Sequence, residues 1–210
     1  MSVAELAEAF DAPTPPHLPP PPAGNGPPGL ADDWYRGLLE DLASMPCKVA
    51  VDTSGAPLRA AAQGRADLFK PNDEELAEVT GANPAALKSA LAVGDLGPIV
   101  AAAGVLGERT VAAVLATLGA TGAVLTTTAG SWFATPPPIV PRSTVGAGDA
   151  SLAGYLIAYT AGASEPDRLR TAVAYGSAAA GLAGTQPPLP AQVDVDSVDV
   201  VELSGAAPIT

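Results

Sequence analysis

The chain has 210 residues, room for one domain with a substantial core plus a tail, and its 22 acidic against 10 basic residues give a formal net charge of −12. That balance repels nucleic acid and anionic membranes, so neither is expected as a partner, and a phosphorylated ligand needs a local positive site. A single cysteine, Cys47, excludes an internal disulfide framework and fits a reducing compartment, here the cytoplasm.

Met1 to Phe10 can form a short helix, but no basic region leads into an apolar run, so no signal peptide is expected. Pro13, Pro15, Pro16, Pro19 to Pro22, Pro27 and Pro28, with Gly24, Gly26 and Gly29 among them, forbid regular structure. Residues 1–28 are therefore expected as a disordered Pro-rich leader and 29–205 as the ordered domain. Asp32 or Asp33 can cap a helix whose apolar face is Trp34, Tyr35, Leu38, Leu39 and Leu42, stopped by Pro46. Lys48 to Asp52 reads as a buried strand, Leu58 to Gln63 as a small helix, and Asp67 to Lys70 as a second strand closed by Pro71. Asn72 can cap the next helix, with Asp73, Glu74 and Glu75 in its first turn.

A helix over about Asp95 to Leu106 precedes the continuous apolar run Thr110 to Thr117, the pattern of a strand buried on both faces of a parallel sheet. Gly119 to Gly122 turns the chain into the strand Ala123 to Thr127, and Ala129-Gly130 turns it again into Ser131 to Ala134. Two Ala-rich helices follow, about Ala147 to Ala161 and Glu165 to Ala183. Val193 to Leu203 alternates only in part and reads as an edge strand. Strands alternating with helices predict an α/β sandwich.

Three stretches carry chemistry. Ser143-Thr-Val-Gly-Ala-Gly-Asp149-Ala is a Gly-rich turn running into a helix, where backbone N–H groups can gather an anion. A carboxylate at that rim would repel the anion, so Asp149 makes sense as a group that takes a proton while the amides hold developing negative charge, as in phosphoryl transfer to a hydroxyl. Lys70-Pro-Asn-Asp-Glu-Glu75 lies at the C-terminal end of a strand, where open α/β sheets place ligands. Asn72 and Glu75, three apart, share a helix face and could hold a hydrated Mg²⁺, although a plain N-cap with acidic neighbours explains the same residues. Thr117-Leu-Gly-Ala-Thr-Gly122 permits close approach by a nucleotide and is equally an ordinary loop. Neither a Walker-type sequence nor the six-residue Rossmann glycine pattern is present.

Together, Thr144-Val-Gly-Ala-Gly-Asp149-Ala with Ala153-Gly-Tyr-Leu156, the Lys70 to Glu75 stretch and the Thr117 to Gly122 loop resemble the ribokinase-like (PfkB) carbohydrate kinases. The run Val51-Asp-Thr-Ser-Gly-Ala-Pro-Leu58 is most similar to the 1-phosphofructokinase and tagatose-6-phosphate kinase branch, and similarity extends from about Gly29 to about Pro190. The resemblance implies a three-layer α/β/α sandwich, ATP and Mg²⁺ as cofactors, and an ATP-dependent sugar-phosphate kinase converting fructose 1-phosphate to fructose 1,6-bisphosphate. It assigns Asp149 as catalytic base, the amides of Gly146, Ala147 and Gly148 as anion hole, and Asn72 and Glu75 as organisers of Mg²⁺ and phosphate. Thr117, Gly119 and Gly122 would line the ATP site, Lys70 would add positive charge, and Arg142 would meet the sugar phosphate.

The family's N-terminal sugar-gripping half and β lid have no counterpart here, and His17 to Gly29 stands where the family has a strand and turn. The sandwich is therefore expected to be truncated on its N-terminal side, with weak or absent turnover from this chain alone. The alternative is a non-catalytic nucleotide-binding or interaction module pairing with a separate half. A homodimer is also left open.

Overall fold

The computed structural model describes residues 33–203, so the leader expected over 1–28 lies outside the described residues. They form a mixed α/β fold with six strands in one sheet, ordered β1 to β6 as in the chain. They fall into two compact units, one of 33–116 with Thr126–Ala129 and one of Thr117–Leu125 with 130–203.

The first unit begins with α1 (Trp34–Leu42), which buries Leu38, Leu39 and Leu42. Asp33 precedes it without capping it, because its carboxylate is bonded to Arg36 at 3.1 Å. β1 (Ala50–Val51), α2 (Gly55–Ala61) and β2 (Leu68–Phe69) follow. Both strands are shorter than the sequence pattern predicts, although main-chain bonds continue at their ends, where the Asp67 and Lys70 N–H groups donate to the Val49 and Val51 carbonyls at 2.8 and 3.0 Å. The Asp67 carboxylate accepts from the Lys48 ammonium and the Val49 N–H, both at 2.8 Å, and Lys70 pairs with Asp52 at 3.1 Å. β1 runs parallel to β2, with Val51 opposite Phe69, and β2 runs parallel to β3 (Ala113–Thr117).

Between β2 and β3 lie α3 (Asp73–Thr80), α4 (Pro84–Ala92) and α5 (Gly97–Thr110), with α3 packed on α4 and α5. The sequence reading contains no α4, yet Asn83 caps it onto Ala85 and Ala86 at 2.9 and 3.2 Å, with Pro84 in the first helical position that suits it. The expected strand from Thr110 starts three residues late. Ile99, Ala102, Ala103, Leu106 and Thr110 are all buried at helical spacing, the Thr110 hydroxyl donates to the Leu106 carbonyl at 2.7 Å, and α5 therefore continues to Thr110. Val111 then closes it in the left-handed region (φ 56°, ψ 39°).

The second unit holds the start of β4 (Ala123–Thr127), then β5 (Gly130–Thr135), α6 (Ala147–Thr160), α7 (Glu165–Gly181) and β6 (Asp199–Glu202). β6 pairs antiparallel with β5, Phe133 opposite Val201, at the edge of the sheet as expected but over only four of the anticipated residues. α7 packs along α6 and against β5 and β6. α6 and α7 come close because Gly154 has no side chain: a Cβ there would stand 2.7 Å from the Thr171 carbonyl oxygen and 2.9 Å from the Tyr175 Cβ. At their far ends Arg168 sits 4.7 Å over the Tyr159 ring and 3.7 Å from Glu165, and burial pushes the neighbouring Tyr155 hydroxyl's ionisation up.

Gly154→Ala drives a methyl into backbone on the facing helix and should cost about 1–3 kcal/mol. Val111→Gly relieves a β-branched residue of its left-handed conformation while removing a side chain that is 55% exposed, and should add about 0.5–1 kcal/mol. Chemical denaturation checks both, the midpoint falling for the first and rising for the second.

Candidate functional site

In the first unit, the parallel register that sets Val51 opposite Phe69 brings the next residues, Asp52 and Lys70, side by side at the C-terminal ends of β1 and β2. Lys70 is only 7% exposed, so the positive charge it adds is an enclosed one, paired with Asp52. Two residues on, Asn72 begins α3 with a complete capping box: its Oδ1 accepts from the Glu75 N–H and its own N–H donates to Glu75 Oε2, both at 2.8 Å. Burial pushes the Glu75 carboxyl up, Asp52 and Glu78 add to the effect, and the Asn72 amide and Lys70 pull it back. The unit thus places Asp52, which the sequence reasoning does not single out, beside Lys70 and Glu75. The signal was a strand ending in an acid beside a strand ending in a lysine.

Among the described residues no group of three or more His, Cys, Asp or Glu side chains could hold a metal ion directly. The capping box engages one Glu75 oxygen and the Asn72 carbonyl oxygen, leaving Glu75 Oε1 outside the box. This donor set fits Mg²⁺ held through its own waters and does not fit a protein cage around the bare ion.

The second unit carries the other residues. After Thr117 the chain makes a one-turn helix, Gly119–Thr121, tied by Thr121 N–H to the Leu118 carbonyl at 3.1 Å. Gly119 is exposed, at φ 58°, with open space where a Cβ would be. Gly122, at φ 128°, is buried, and a Cβ there would run into the Ala134 carbonyl of β5. Only Gly119 therefore faces room for a ligand, and Gly122 is a glycine because β5 passes over it.

The Gly-rich turn differs in one respect from its expected form. Gly146 alone has a left-handed backbone (φ 81°) and stands just before α6, whereas Gly148 is already helical within its first turn. The Ala147 N–H reaches back to the Thr144 carbonyl at 3.3 Å, which leaves it a weaker anion donor than expected. The Gly148 and Asp149 N–H groups follow in a first turn that has no intrahelical acceptors for them, and no side chain caps it. Asp149 is exposed at this helix N-terminus, with no ion-pair or hydrogen-bond partner for its carboxylate among the described residues. Arg142 is exposed, and its N–H donates to the Ala180 carbonyl at 2.8 Å.

Comparison with known protein families matches residues 24–192 to the pfkB family carbohydrate kinases. The chain belongs to this family. It is 36% identical over 167 residues to a 1-phosphofructokinase of Rhodobacter capsulatus, covering 80% of this chain and 50% of that protein. To the 1-phosphofructokinase of Haloferax volcanii it is 39% identical over 143 residues, covering 67% and 43%. A crystal structure of phosphofructokinase-2 from Escherichia coli in complex with substrates and products superposes with a TM-score of 0.71 at 28% identity, covering 81% of this chain and 53% of that one. The chain thus spans about half the length of the relatives it matches. The pfkB match includes all three stretches singled out from sequence, and the fold is the ribokinase-like α/β fold that the resemblance implied.

Within this pfkB chain, Glu75→Gln separates the cap from the charge. Glutamine keeps an oxygen for the Asn72 N–H, so α3 should keep its start. Because the folded state raises the Glu75 pKa, the unfolded chain ionises first, and the native protein loses stability as pH rises through the carboxylate range. Relative to the wild type, Glu75→Gln should therefore be no more stable at acid pH and should gain as pH rises to neutrality. Denaturant midpoints across that range check it, and a gain toward low pH would contradict it.

Proposed function

We propose that this chain is the nucleotide-handling part of an ATP-dependent sugar-phosphate kinase that takes fructose 1-phosphate to fructose 1,6-bisphosphate in the cytoplasm. The observation that carries the reading is the exposed Asp149 carboxylate in the first turn of α6, directly after the left-handed Gly146. A proton acceptor beside free first-turn amides suits attack by a sugar hydroxyl on a phosphoryl group. Asp149 accepts the hydroxyl proton, while the Gly148 and Asp149 amides, with the Gly146 backbone, hold the negative charge on the transferred group. The acceptor sugar rests on the names of the relatives in Rhodobacter capsulatus and Haloferax volcanii.

The remaining roles follow the family resemblance residue by residue. Thr117 and the open face of Gly119 line the nucleotide, and the exposed Arg142 side chain, which has no partner among the described residues, meets an anionic sugar substituent. Lys70 acts within its pair with Asp52, holding the strand end that leads into Asn72. Asn72 and Glu75 would hold Mg²⁺ through its waters, and the ion would supply positive charge against the phosphates. Catalysis in this reaction class is mostly positioning and electrostatics, so a chain spanning half of its relatives is expected to bind nucleotide and to turn over slowly alone.

A second reading, a nucleotide-binding module that pairs with a separate half, draws on β1. Among the described residues this two-residue apolar strand has one neighbour in the sheet, β2. Size-exclusion chromatography and Mg-ATP titration distinguish the readings, since a module binds without any sugar-dependent ADP release.

Asp149→Asn tests the assigned base. It should leave Mg-ATP affinity within a few-fold of wild type by calorimetry and lower sugar-dependent ADP release by about 10²–10⁴-fold. Release at the wild-type rate would remove Asp149 from the reaction.

A further inference from the structure

Both flanks of the Gly-rich turn are tied to the C-terminal half of α7. On the entering side, the Arg142 and Ser143 N–H groups donate to one acceptor, the Ala180 carbonyl, at 2.8 and 3.3 Å. On the leaving side, Gly176 lies against the first turn of α6: a Cβ there would stand 3.2 Å from the Ala147 carbonyl oxygen and would run into the Ser151 hydroxyl. At Gly146 a Cβ would come 3.7 Å from the Thr185 carbonyl oxygen, just past the end of α7. Gly154, the other close approach between the helices, faces Thr171 and Tyr175 about two turns farther along α6.

We propose that Gly176 is a positioning residue for the Gly-rich turn. The missing side chain lets α7 seat the first turn of α6 at the level where Ala180 anchors Arg142 and Ser143, and so aims the Gly148 and Asp149 amides. Gly176 touches no substrate and acts through the Ala147 backbone and Ser151. The Ser151 hydroxyl can rotate aside, so what an added methyl at 176 presses on is the Ala147 carbonyl in the turn backbone, whereas one at 154 meets the Thr171 carbonyl and separates the helices away from the turn. The inference deepens the kinase reading of the turn and rests on it, because aim matters only where the amides must meet an anion.

The test compares the ¹⁵N-labelled wild-type chain with three variants, using inorganic phosphate as probe. Gly176→Ala is expected to displace the backbone amide signals of residues 142–149 before any phosphate is added and to weaken phosphate binding there about tenfold. Gly154→Ala should lower thermal stability at least as much, yet leave those signals and the phosphate affinity as in wild type. Ser151→Ala with Gly176→Ala removes the hydroxyl and leaves the 3.2 Å approach to the Ala147 carbonyl and the ordinary 3.5 Å contact with the Cβ at 151, so its displacement should be no larger and confined to the same residues. That double variant carries the comparison if the single one does not fold. Unmoved signals in both variants at 176, or equal movement in Gly154→Ala, overturn the proposal. If phosphate leaves the wild-type Gly148 and Asp149 signals in place, the kinase reading of the turn fails, while the ligand-free displacement still decides the role of Gly176.

Discussion

The packing of α6 on α7 depends on backbone meeting backbone, because at Gly154 a side chain would have to occupy the place of the Thr171 carbonyl. Close approach buries apolar residues on both helices, including Leu152, Tyr155, Leu169 and Val173, each large side chain contributing about 1.5–3 kcal/mol on burial. It also fixes where α6 begins. A helix start that leaves amides unpaired is costly unless water or a ligand meets them, and here the start remains exposed at Asp149 rather than capped. The hydrophobic seam thus supports the polar end: rigidity comes from the buried part of α6, and unfilled hydrogen-bonding capacity remains at its first turn.

The first unit solves a different problem with charge. Its strands β1 and β2 have two residues each, too few for a ladder to hold them by itself. Asp67 extends the pairing on one side by bonding the Lys48 ammonium and the Val49 N–H, and Asp52 with Lys70 extends it on the other. The Lys70 end of the pair is enclosed, so removing Asp52 alone would leave a buried ammonium at a cost of about 3–5 kcal/mol, while the net contribution of the intact pair is much smaller. Such a pair specifies where the strand ends meet more than it stabilises them. The next residues, Pro71 and Asn72, then start α3 from a defined point, with both capping-box bonds made.

The elements legible in the sequence were those whose signal is local. The Asn72 cap, the β4–β5 turn and the starts of α6 and α7 lie where capping residues, glycines and apolar periodicity put them. Misreadings came where a tertiary contact overruled a local pattern. The run after Thr110 is as apolar as a strand, but Leu106 and Thr110 continue a buried helical face, and burial decided in favour of the helix at the expense of a strained Val111. The side-chain bonds of Asp67 and Asp52 that flank the two short strands join residues about eighteen apart, which no sequence window displays. The enclosure of Lys70 is equally invisible in the sequence: lysine is seldom enclosed, and its partner lies eighteen residues upstream, just past the end of a neighbouring strand. The three motif stretches were legible as motifs, while the division of labour within them was not.

That division is clearest among the glycines. Gly119 and Gly122 bracket the same short loop and both have positive φ, so from sequence each permits a ligand's close approach. Only at Gly119 is the space beyond the Cα open, whereas at Gly122 the Ala134 carbonyl already fills it. The same contrast separates Gly146, whose left-handed backbone makes the turn into α6, from Gly148, which is an ordinary helical residue there. A motif glycine therefore has three distinct physical causes: backbone sign, room for a ligand, or passage of another strand or helix. In this chain one glycine of each pair is consumed by the fold or by the helix itself. The nucleotide reading of the loop then rests on Gly119 and Thr117, and that of the turn on Gly146 with the amides behind it. Substituting Gly122 or Gly154 would report on packing, and loss of function there would say nothing about ligand contact.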